Sequence, residues 1–311
     1  MLKAPFPWFG GKSKVADIVW QHFGDVPNYV EPFFGSGAVL LNRPHNPKTE
    51  TINDKDGYVA NFWRAIKNDP EQVAYYADNP VNENDLHARH IWLVNQQDDF
   101  VPKLEADPDF YNAKIAGYWV WGMCSWIAGG FCTGKGPWQN IDGKLIKTSN
   151  KGIGIKRQLP HLNGGQGINR VDINILSWFN DLAERLRKVR VCCGDWKRVC
   201  GYSPTIRFGL TGVFLDPPYS QKERDSYLYT TESATAASEC MQWCSENGDN
   251  PKLRIALCGY DTEHVLPGWK KYHWKTQGGY CHIGNARGKI NRARETIWFS
   301  PSCLDEITMF D

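Results

Sequence analysis

The sequence predicts an α/β protein built on a mainly parallel sheet. Apolar stretches of strand length alternate with segments of helical periodicity, first before residue 70 and again after residue 170. This alternation is typical of a sheet with helices packed on its faces. Three of the predicted strands end in an aspartate and another runs into a glycine turn, and ligands bind at such strand ends in open α/β sheets.

The expected elements follow from the spacing of apolar residues. Val59, Phe62, Trp63 and Ile66, for example, fall on one face of a helix. In chain order we expect helices at 12–23, 38–41, 58–67, 175–186 and 232–246, and strands at 28–30, 49–53, 189–193, 212–215, 253–258 and 296–299.

The segment between residues 70 and 170 interrupts this pattern. Residues 71–128 are predicted to be helical and are rich in Trp, whereas 129–167 are rich in Gly, Asn and Lys and predict a long irregular loop or hairpin. Long loops in compact domains are usually functional. The Trp-rich run Tyr118 to Trp126 is interpreted as core packing rather than as a platform for stacked bases.

Composition excludes several classes of protein. The net charge is +2 and 41% of the residues are apolar, as in ordinary globular proteins. We find no stretch that predicts a membrane span and no signal peptide. The ten cysteines lack zinc-ligand spacing, so we expect reduced thiols, no bound metal and a cytoplasmic protein. The oligomeric state is left open.

A glycine turn follows the first predicted strand, in the run Glu31-Pro32-Phe33-Phe34-Gly35-Ser36-Gly37. Glycines here let the backbone approach a ligand closely. Leu40 stands where the dinucleotide fingerprint requires a third glycine, so a nucleoside cofactor without a pyrophosphate fits at least as well. Asp54 ends the second strand and could accept both ribose hydroxyls, the alternative being a helix cap. Asp195 ends the third and is either an acceptor for an adenine amino group or a loop carboxylate.

The tetrad Asp216-Pro217-Pro218-Tyr219 directly follows an apolar strand. Two consecutive prolines make a rigid extended turn. The N6 atom of adenine is a poor nucleophile because its lone pair is delocalised, and the Asp216 carboxylate and the Pro217 carbonyl could accept both of its N–H protons. Tyr219 offers an aromatic face to a base extruded from the duplex. The tetrad therefore predicts methyl transfer by positioning and electrostatics.

Three motifs in this order resemble the Dam-like (D12 class, alpha-group) DNA adenine-N6 methyltransferases. They are Pro7 to Lys14, Glu31 to Gly37 and Asp216 to Tyr219, and the resemblance covers roughly 5–67 and 189–300. It implies a Rossmann-like class I methyltransferase sheet, S-adenosylmethionine as cofactor and double-stranded DNA as substrate. It also implies a catalytic domain formed by 1–70 and 171–311, with 71–170 as an inserted, mostly helical target-recognition region.

The resemblance further implies a role for individual residues. Trp8 and Lys12 would contact the methionine portion of the cofactor, and Asp54 would hold its ribose. Asp216 would lie between cofactor and target amine, with Pro217 and Tyr219 beside it. The cofactor cradle would be formed by Glu31, Phe34, Gly35 and Gly37.

Positive charge is concentrated in the insert. Residues 130–170 contain seven basic side chains and one acidic side chain, a net charge of +6 that leaves −4 for the rest of the chain. Such a segment is typical of an element that contacts phosphates, and a solvated loop is the alternative. A second basic patch precedes the last strand. DNA binding would associate the protein with the nucleoid. The candidate DNA contacts are Lys135, Lys151, Lys156, Arg157, Arg287 and Arg292.

Two alternatives to adenine methylation stay open. N4-cytosine DNA methyltransferases use nearly the same chemistry, although their tetrad usually begins with Ser. A catalytically inactive DNA-binding module with the same fold is the second, and an intact Asp216 and glycine turn disfavour it. The stretch Gly129 to Asn169 does not match the recognition hairpin of enzymes that methylate GATC, so the target sequence is not predicted.

Overall fold

The computed structural model describes residues 2–8, 11–126, 131–134, 136–148, 154–162, 165, 167–170, 172–219, 235–274 and 295–305. The helices in these ranges are α1 (Ala16–Phe23), α2 (Ala38–Leu41), α3 (Gly57–Asn68), α4 (Pro70–Ala77), α5 (Glu83–Ala106), α6 (Ala113–Ser125), α7 (Ile175–Leu186), α8 (Lys197–Cys200) and α9 (Ala236–Asn247). The strands are β1 (Asn28–Glu31), β2 (Thr49–Asp54), β3 (Trp138–Ile141), β4 (Lys144–Lys147), β5 (Val189–Cys193), β6 (Thr211–Leu215), β7 (Leu253–Tyr260), β8 (Lys270–His273) and β9 (Glu295–Phe299).

Seven strands form one sheet in the order β5-β2-β1-β6-β7-β9-β8. The first five are parallel, whereas β9 runs antiparallel to both of its neighbours. The first residue of β9 consequently lies at the same edge as the last residues of the parallel strands. This is the mainly parallel, Rossmann-like sheet that the sequence predicts.

Both faces of the sheet are buried, because successive side chains of a strand point to opposite faces. Val213 and Leu215 of β6 pack in one apolar cluster with α8 and α9. Phe214, between them, packs in a larger cluster that contains α1, α3, α6 and α7. Strands β6 and β7 are therefore mostly apolar, as parallel strands covered on both faces usually are.

The Trp-rich run of α6 belongs to that larger cluster. Trp119 and Trp121 are at most 1% exposed, and Trp126, just after the helix, is 2% exposed. The interpretation of this run as core packing is confirmed. Helix α6 packs on α3 and α4, and α4 packs on α7, so the first part of the insert shares its core with the sheet.

The lysine-rich part of the insert contains a hairpin. Strands β3 and β4 pair antiparallel around Asp142 and Gly143, which have φ values of 50° and 75°. Asp-Gly with both residues at positive φ is the preferred two-residue hairpin turn. The hairpin alternative of the sequence prediction therefore applies to residues 138–147.

Several elements differ from the prediction. Helix α8 was not predicted, and the helix expected at 232–246 is observed as α9 from Ala236, with 232–234 outside the described residues. Helix α1 begins at Ala16 rather than at Lys12, since Lys12 to Val15 form a turn closed by a hydrogen bond from Val15 N to Lys12 O. Strand β8 was not predicted, because its sequence Lys-Lys-Tyr-His has no apolar alternation; it is an edge strand, where lysines are common. Across the described ranges no helix combines the length and apolarity that a membrane span needs.

Candidate active site

A cleft lies at the edge where the parallel strands end. It encloses about 750 Å³ of space, part of it open to solvent. Four of the residues predicted from the sequence line it, namely Trp8, Asp54, Asp195 and Asp216. The other lining residues lie at or just after the same strand ends, or belong to α9. They are Pro32, Phe33, Asn53, Lys55, Asp56, Gly194, Trp196, Pro218, Ala236 and Glu239.

The glycine turn and Asp54 form one unit. Gly35 has a φ of 48°, and its N–H donates to Oδ2 of Asp54 at 2.9 Å. A Cβ atom at Gly35 would lie 2.4 Å from Nε1 of Trp8, far inside contact distance. Only glycine therefore allows Trp8 to pack over this turn, which places the indole at the wall of the cleft.

The Asp54 carboxylate is half-buried and accepts two backbone hydrogen bonds. Its Oδ1 accepts from the N–H of Asp56 at 2.9 Å, beside the bond from Gly35. Burial and the neighbouring Asp56 charge raise the pKa of Asp54 to about 7, although the backbone donors oppose that rise. Asp56 rather than Asp54 caps helix α3, because its Oδ1 accepts from Tyr58 N. The helix-cap alternative for Asp54 thus describes its neighbour instead.

Asn53 braces the floor of the cleft, a role that the sequence did not indicate. Its side-chain amide donates to the carbonyls of Pro32 and Gly194, each at 3.0 Å. These two carbonyls follow β1 and β5, the strands on either side of β2. One amide group therefore ties together three strand ends that carry predicted cofactor contacts.

Aromatic side chains form a further wall. The rings of Phe33 and Trp196 lie 6.0 Å apart at an interplanar angle of 36°. Asp195 is exposed, and its Oδ1 accepts from the N–H of Lys197 at the start of α8. Asp195 therefore combines the two alternatives that the sequence left open, since it is a loop carboxylate that also lines the cleft.

The Asp216 carboxylate is held by a lysine from the N-terminal segment. Nζ of Lys12 lies 2.8 Å from Oδ2 of Asp216, with side-chain exposures of 4% and 18%. Burial alone lowers the pKa of Lys12, but the carboxylates of Asp216 and Glu295 outweigh it and raise that pKa above its ordinary value. Lys12 is thus a charged partner of the tetrad, and its contact with the cofactor, which the resemblance implies, stays a prediction.

Tyr219 makes its hydrogen bond to a residue that sequence reasoning missed. Its hydroxyl donates to Oε2 of Glu295 at 2.7 Å, and its ring packs edge-on against Tyr260 with centroids 4.8 Å apart. Burial raises the pKa of Glu295, while Lys12 and the Tyr219 hydroxyl oppose the rise. Glu295 was missed because it begins a strand that runs antiparallel, and the strand-end rule inspects only the last residues of parallel strands.

None of the four residues of the predicted cradle is in the lining of the cleft: Gly35 contacts Trp8 and Asp54, which do line it, and Glu31, Phe34 and Gly37 lie in and around the same turn. Glu31 is 2% exposed and accepts from the Tyr29 hydroxyl at 2.8 Å; burial raises the pKa of Glu31 well above its ordinary value. Phe34 is 4% exposed. A Cβ atom at Gly37 would lie 2.6 Å from Cζ of the Phe34 ring, so only glycine fits beside that ring. These residues shape the turn.

Only two of the candidate DNA contacts fall in the described ranges. Lys156 is half-buried, and Arg157 is exposed and lies 3.2 Å from Glu83. Four others, Lys135, Lys151, Arg287 and Arg292, lie outside the described residues. Their role in DNA binding stays a prediction.

The N-terminal third of the chain is similar to a known protein family. Residues 8–113 match the family model of the D12 class N6 adenine-specific DNA methyltransferases. The resemblance predicted from the motifs is thereby confirmed. The matched segment contains the glycine turn, Asp54 and Lys12, and it ends before Asp195 and Asp216.

Three curated relatives are similar to different extents. The type II methyltransferase M.MjaIII of Methanocaldococcus jannaschii is 22% identical over 236 residues, which is 72% of this chain and 72% of that protein. The DNA adenine methylase of Vibrio cholerae is 28% identical over 101 residues, 31% of this chain and 36% of that protein. The DNA N-6-adenine-methyltransferase of Escherichia phage P1 is 24% identical over 99 residues, so the alignment spans 13% of that relative's length.

Proposed function

We propose that this protein transfers a methyl group from S-adenosylmethionine to N6 of an adenine extruded from double-stranded DNA. The observation that carries the proposal is the position of Asp216. Its carboxylate lines the cleft at the end of β6, is fixed by Lys12 at 2.8 Å, and is followed by the Pro-Pro turn. The D12 class resemblance of residues 8–113 supports the same reaction.

The residues of the cleft fit a nucleoside cofactor. Asp54 supplies carboxylate oxygens for ribose hydroxyls, and Phe33 and Trp196 supply apolar ring surface for a base. The close packing of Trp8 on Gly35 puts an aromatic wall next to the glycine turn, where the methionine portion would lie. When bound, the cofactor supplies an electrophilic methyl group.

The chain's own residues prepare the amine. Oδ2 of Asp216 is bonded to Lys12, which leaves Oδ1 to accept one N–H of the adenine amine. The Pro217 carbonyl accepts the other. With both protons held, the lone pair on N6 points away from the ring plane and towards the methyl group, and the proton that N6 loses after transfer passes to Asp216 or to water. This is catalysis by placement of acceptors, without a covalent enzyme intermediate.

The insert 71–170 would supply target recognition. The hairpin of β3 and β4 carries Lys144 and Lys147 as exposed side chains, and a basic hairpin on a mildly acidic body fits a duplex surface. We assign it the first contacts with phosphates, which position the protein but carry no sequence information.

Analysis of the methylated nucleosides tests the proposal. Unmethylated DNA is incubated with protein and cofactor, digested, and separated by chromatography. We expect N6-methyladenine, no product with Asp216→Ala, and a small residual rate with Asp216→Asn, whose amide oxygen still accepts one bond. N4-methylcytosine as the product would establish the cytosine alternative. DNA binding without any methylated base would establish an inactive binding module.

A further inference from the structure

The Tyr219 hydroxyl lies near two carboxylates. It donates to Oε2 of Glu295 at 2.7 Å, and its ring centroid lies 5.6 Å from Nζ of Lys12, which is bonded to Oδ2 of Asp216 at 2.8 Å. Burial raises the pKa of Asp216, while Lys12 and the Tyr219 hydroxyl oppose the rise. A phenolic hydroxyl has a single proton to donate. Whichever carboxylate accepts this hydrogen bond, the other keeps its acceptor sites for a different donor.

Glu295 is placed to accept the hydrogen bond of the Tyr219 hydroxyl. It is the first residue of β9, stands opposite Tyr260 in the β7–β9 pairing, and is 7% exposed. The Tyr219 ring is fixed by Tyr260 on one side and by Lys12, whose Nζ lies 5.6 Å from the ring centroid. The ring is therefore held in place independently of where its hydroxyl proton points.

We propose that Glu295 is a positioning residue for methyl transfer, which holds the Tyr219 hydroxyl proton and so keeps Asp216 available to the target amine. The inference rests on the proposed function, because it concerns the amine acceptor of that reaction. Without Glu295 the hydroxyl turns to Asp216 and occupies the oxygen that the amine needs.

The substitution Glu295→Gln separates this role from simple packing. Glutamine has almost the same shape, but its amide oxygen is a weaker acceptor than the Asp216 carboxylate, since bonds to ionised acceptors are roughly twice as strong. The hydroxyl then prefers Asp216. We expect kcat to fall roughly ten-fold, the scale of one hydrogen bond to a charged group, with KM for DNA and Kd for the cofactor unchanged.

A second substitution provides the decisive comparison. Tyr219→Phe removes the competing hydroxyl and keeps the ring. We therefore expect the double variant Tyr219→Phe, Glu295→Gln to recover the kcat of Tyr219→Phe alone, although it carries one more change than Glu295→Gln. A residue that acts only through packing would give a double variant as poor as the worse single one, or poorer.

Thr296→Val is the matched control. Thr296 is the next residue of β9, is fully buried, and its Oγ1 lies 3.0 Å from Nδ1 of His273. This variant should lower the melting temperature and leave kcat unchanged. If Glu295→Gln unfolds too easily to assay, Glu295→Asp, whose shorter side chain cannot reach the hydroxyl, takes its place with the same recovery expected.

Three results would overturn the inference. They are an unchanged kcat in Glu295→Gln, a loss confined to KM or cofactor affinity, and a double variant that fails to recover. A wild-type protein that methylates no DNA overturns the proposed function, and this inference with it, whereas an active wild type with any of those three results overturns the role of Glu295 alone.

Discussion

Lys12 Nζ and Asp216 Oδ2 lie 2.8 Å apart, although the two residues are 204 positions apart in the chain. The contact joins the N-terminal segment to the end of β6. Removing one partner of a buried ion pair leaves the other charge without compensation. The stability of the apoprotein should therefore depend on this contact.

Lys12→Met should lower the free energy of unfolding by about 3 kcal/mol at pH 8, the lower end for a broken buried pair, because Asp216 keeps some exposure. Without Lys12 the pKa of Asp216 rises further above its unfolded value. The folded state then binds the extra proton, so stability is recovered as the pH falls and lost as it rises. Urea unfolding at pH 5 and pH 8 measures the difference.

Lys197→Met is the control for this prediction. Its ion pair with Glu239 is 2.9 Å long but exposed, at 57% and 33% of the two side chains, and exposed pairs contribute about 0–1 kcal/mol. Equal losses in the two variants, or a Lys12→Met loss that does not change with pH, would contradict the prediction.

Gly35→Ala should abolish cofactor binding, because the new Cβ atom would lie 2.4 Å from Nε1 of Trp8 and displace the indole from the wall of the cleft. Gly143→Ala is matched to it, since Gly143 also has a positive φ, 75°, but no atom lies within 4 Å of the added Cβ. Both should lose about 1–2 kcal/mol of stability from backbone strain. Calorimetric titration should show wild-type affinity only in Gly143→Ala; retained affinity in Gly35→Ala argues against the glycine cradle.

Cofactor affinity should rise with pH through about 7, the pKa to which burial and Asp56 raise the Asp54 carboxyl. Only the ionised form offers acceptors to both ribose hydroxyls, so each pH unit below the pKa should weaken binding up to roughly ten-fold. Asp54→Asn cannot ionise. The ratio of wild-type to Asp54→Asn affinity should therefore increase from pH 5.5 to 8.5, and a constant ratio would exclude Asp54 from the ribose site. Taking the ratio removes any titration of the ligand itself.

The basic hairpin should determine part of the salt dependence of DNA binding. If Lys144 and Lys147 both touch phosphates, changing both to Gln should flatten the slope of log affinity against log salt by roughly 2 units. Lys67→Gln with Lys252→Gln, two exposed lysines outside the insert, should leave the slope unchanged. Binding isotherms over a salt series measure both. A hairpin variant with the wild-type slope would direct attention to Arg287 and Arg292, the second patch.

The motifs at the parallel strand ends were predictable because each is written in contiguous sequence. Gly35 and Gly37, Asp54 and Asp216 each follow an apolar strand. Their location at one edge of the sheet can be predicted, since parallel strands end at the same edge whatever their order in the sheet. The place of Asp54, Asp195 and Asp216 in one cleft follows from that rule, whereas Trp8, which also lines it, was expected there from the family resemblance.

The tertiary structure decided what no contiguous motif contains. Glu295 lies at the tetrad because β9 runs antiparallel, and strand direction depends on how the chain returns to the sheet, not on the residues of the strand. Asn53 braces three strands through its amide only because β2 lies between β1 and β5. Lys12, which contacts Asp216, lies in a turn before α1 and not in the helix that its apolar spacing predicts. The sequence alone thus determined which strand ends carry the predicted site residues. Packing decided which side chains contact those residues, because the partners are far apart in the chain and local sequence patterns do not encode such contacts.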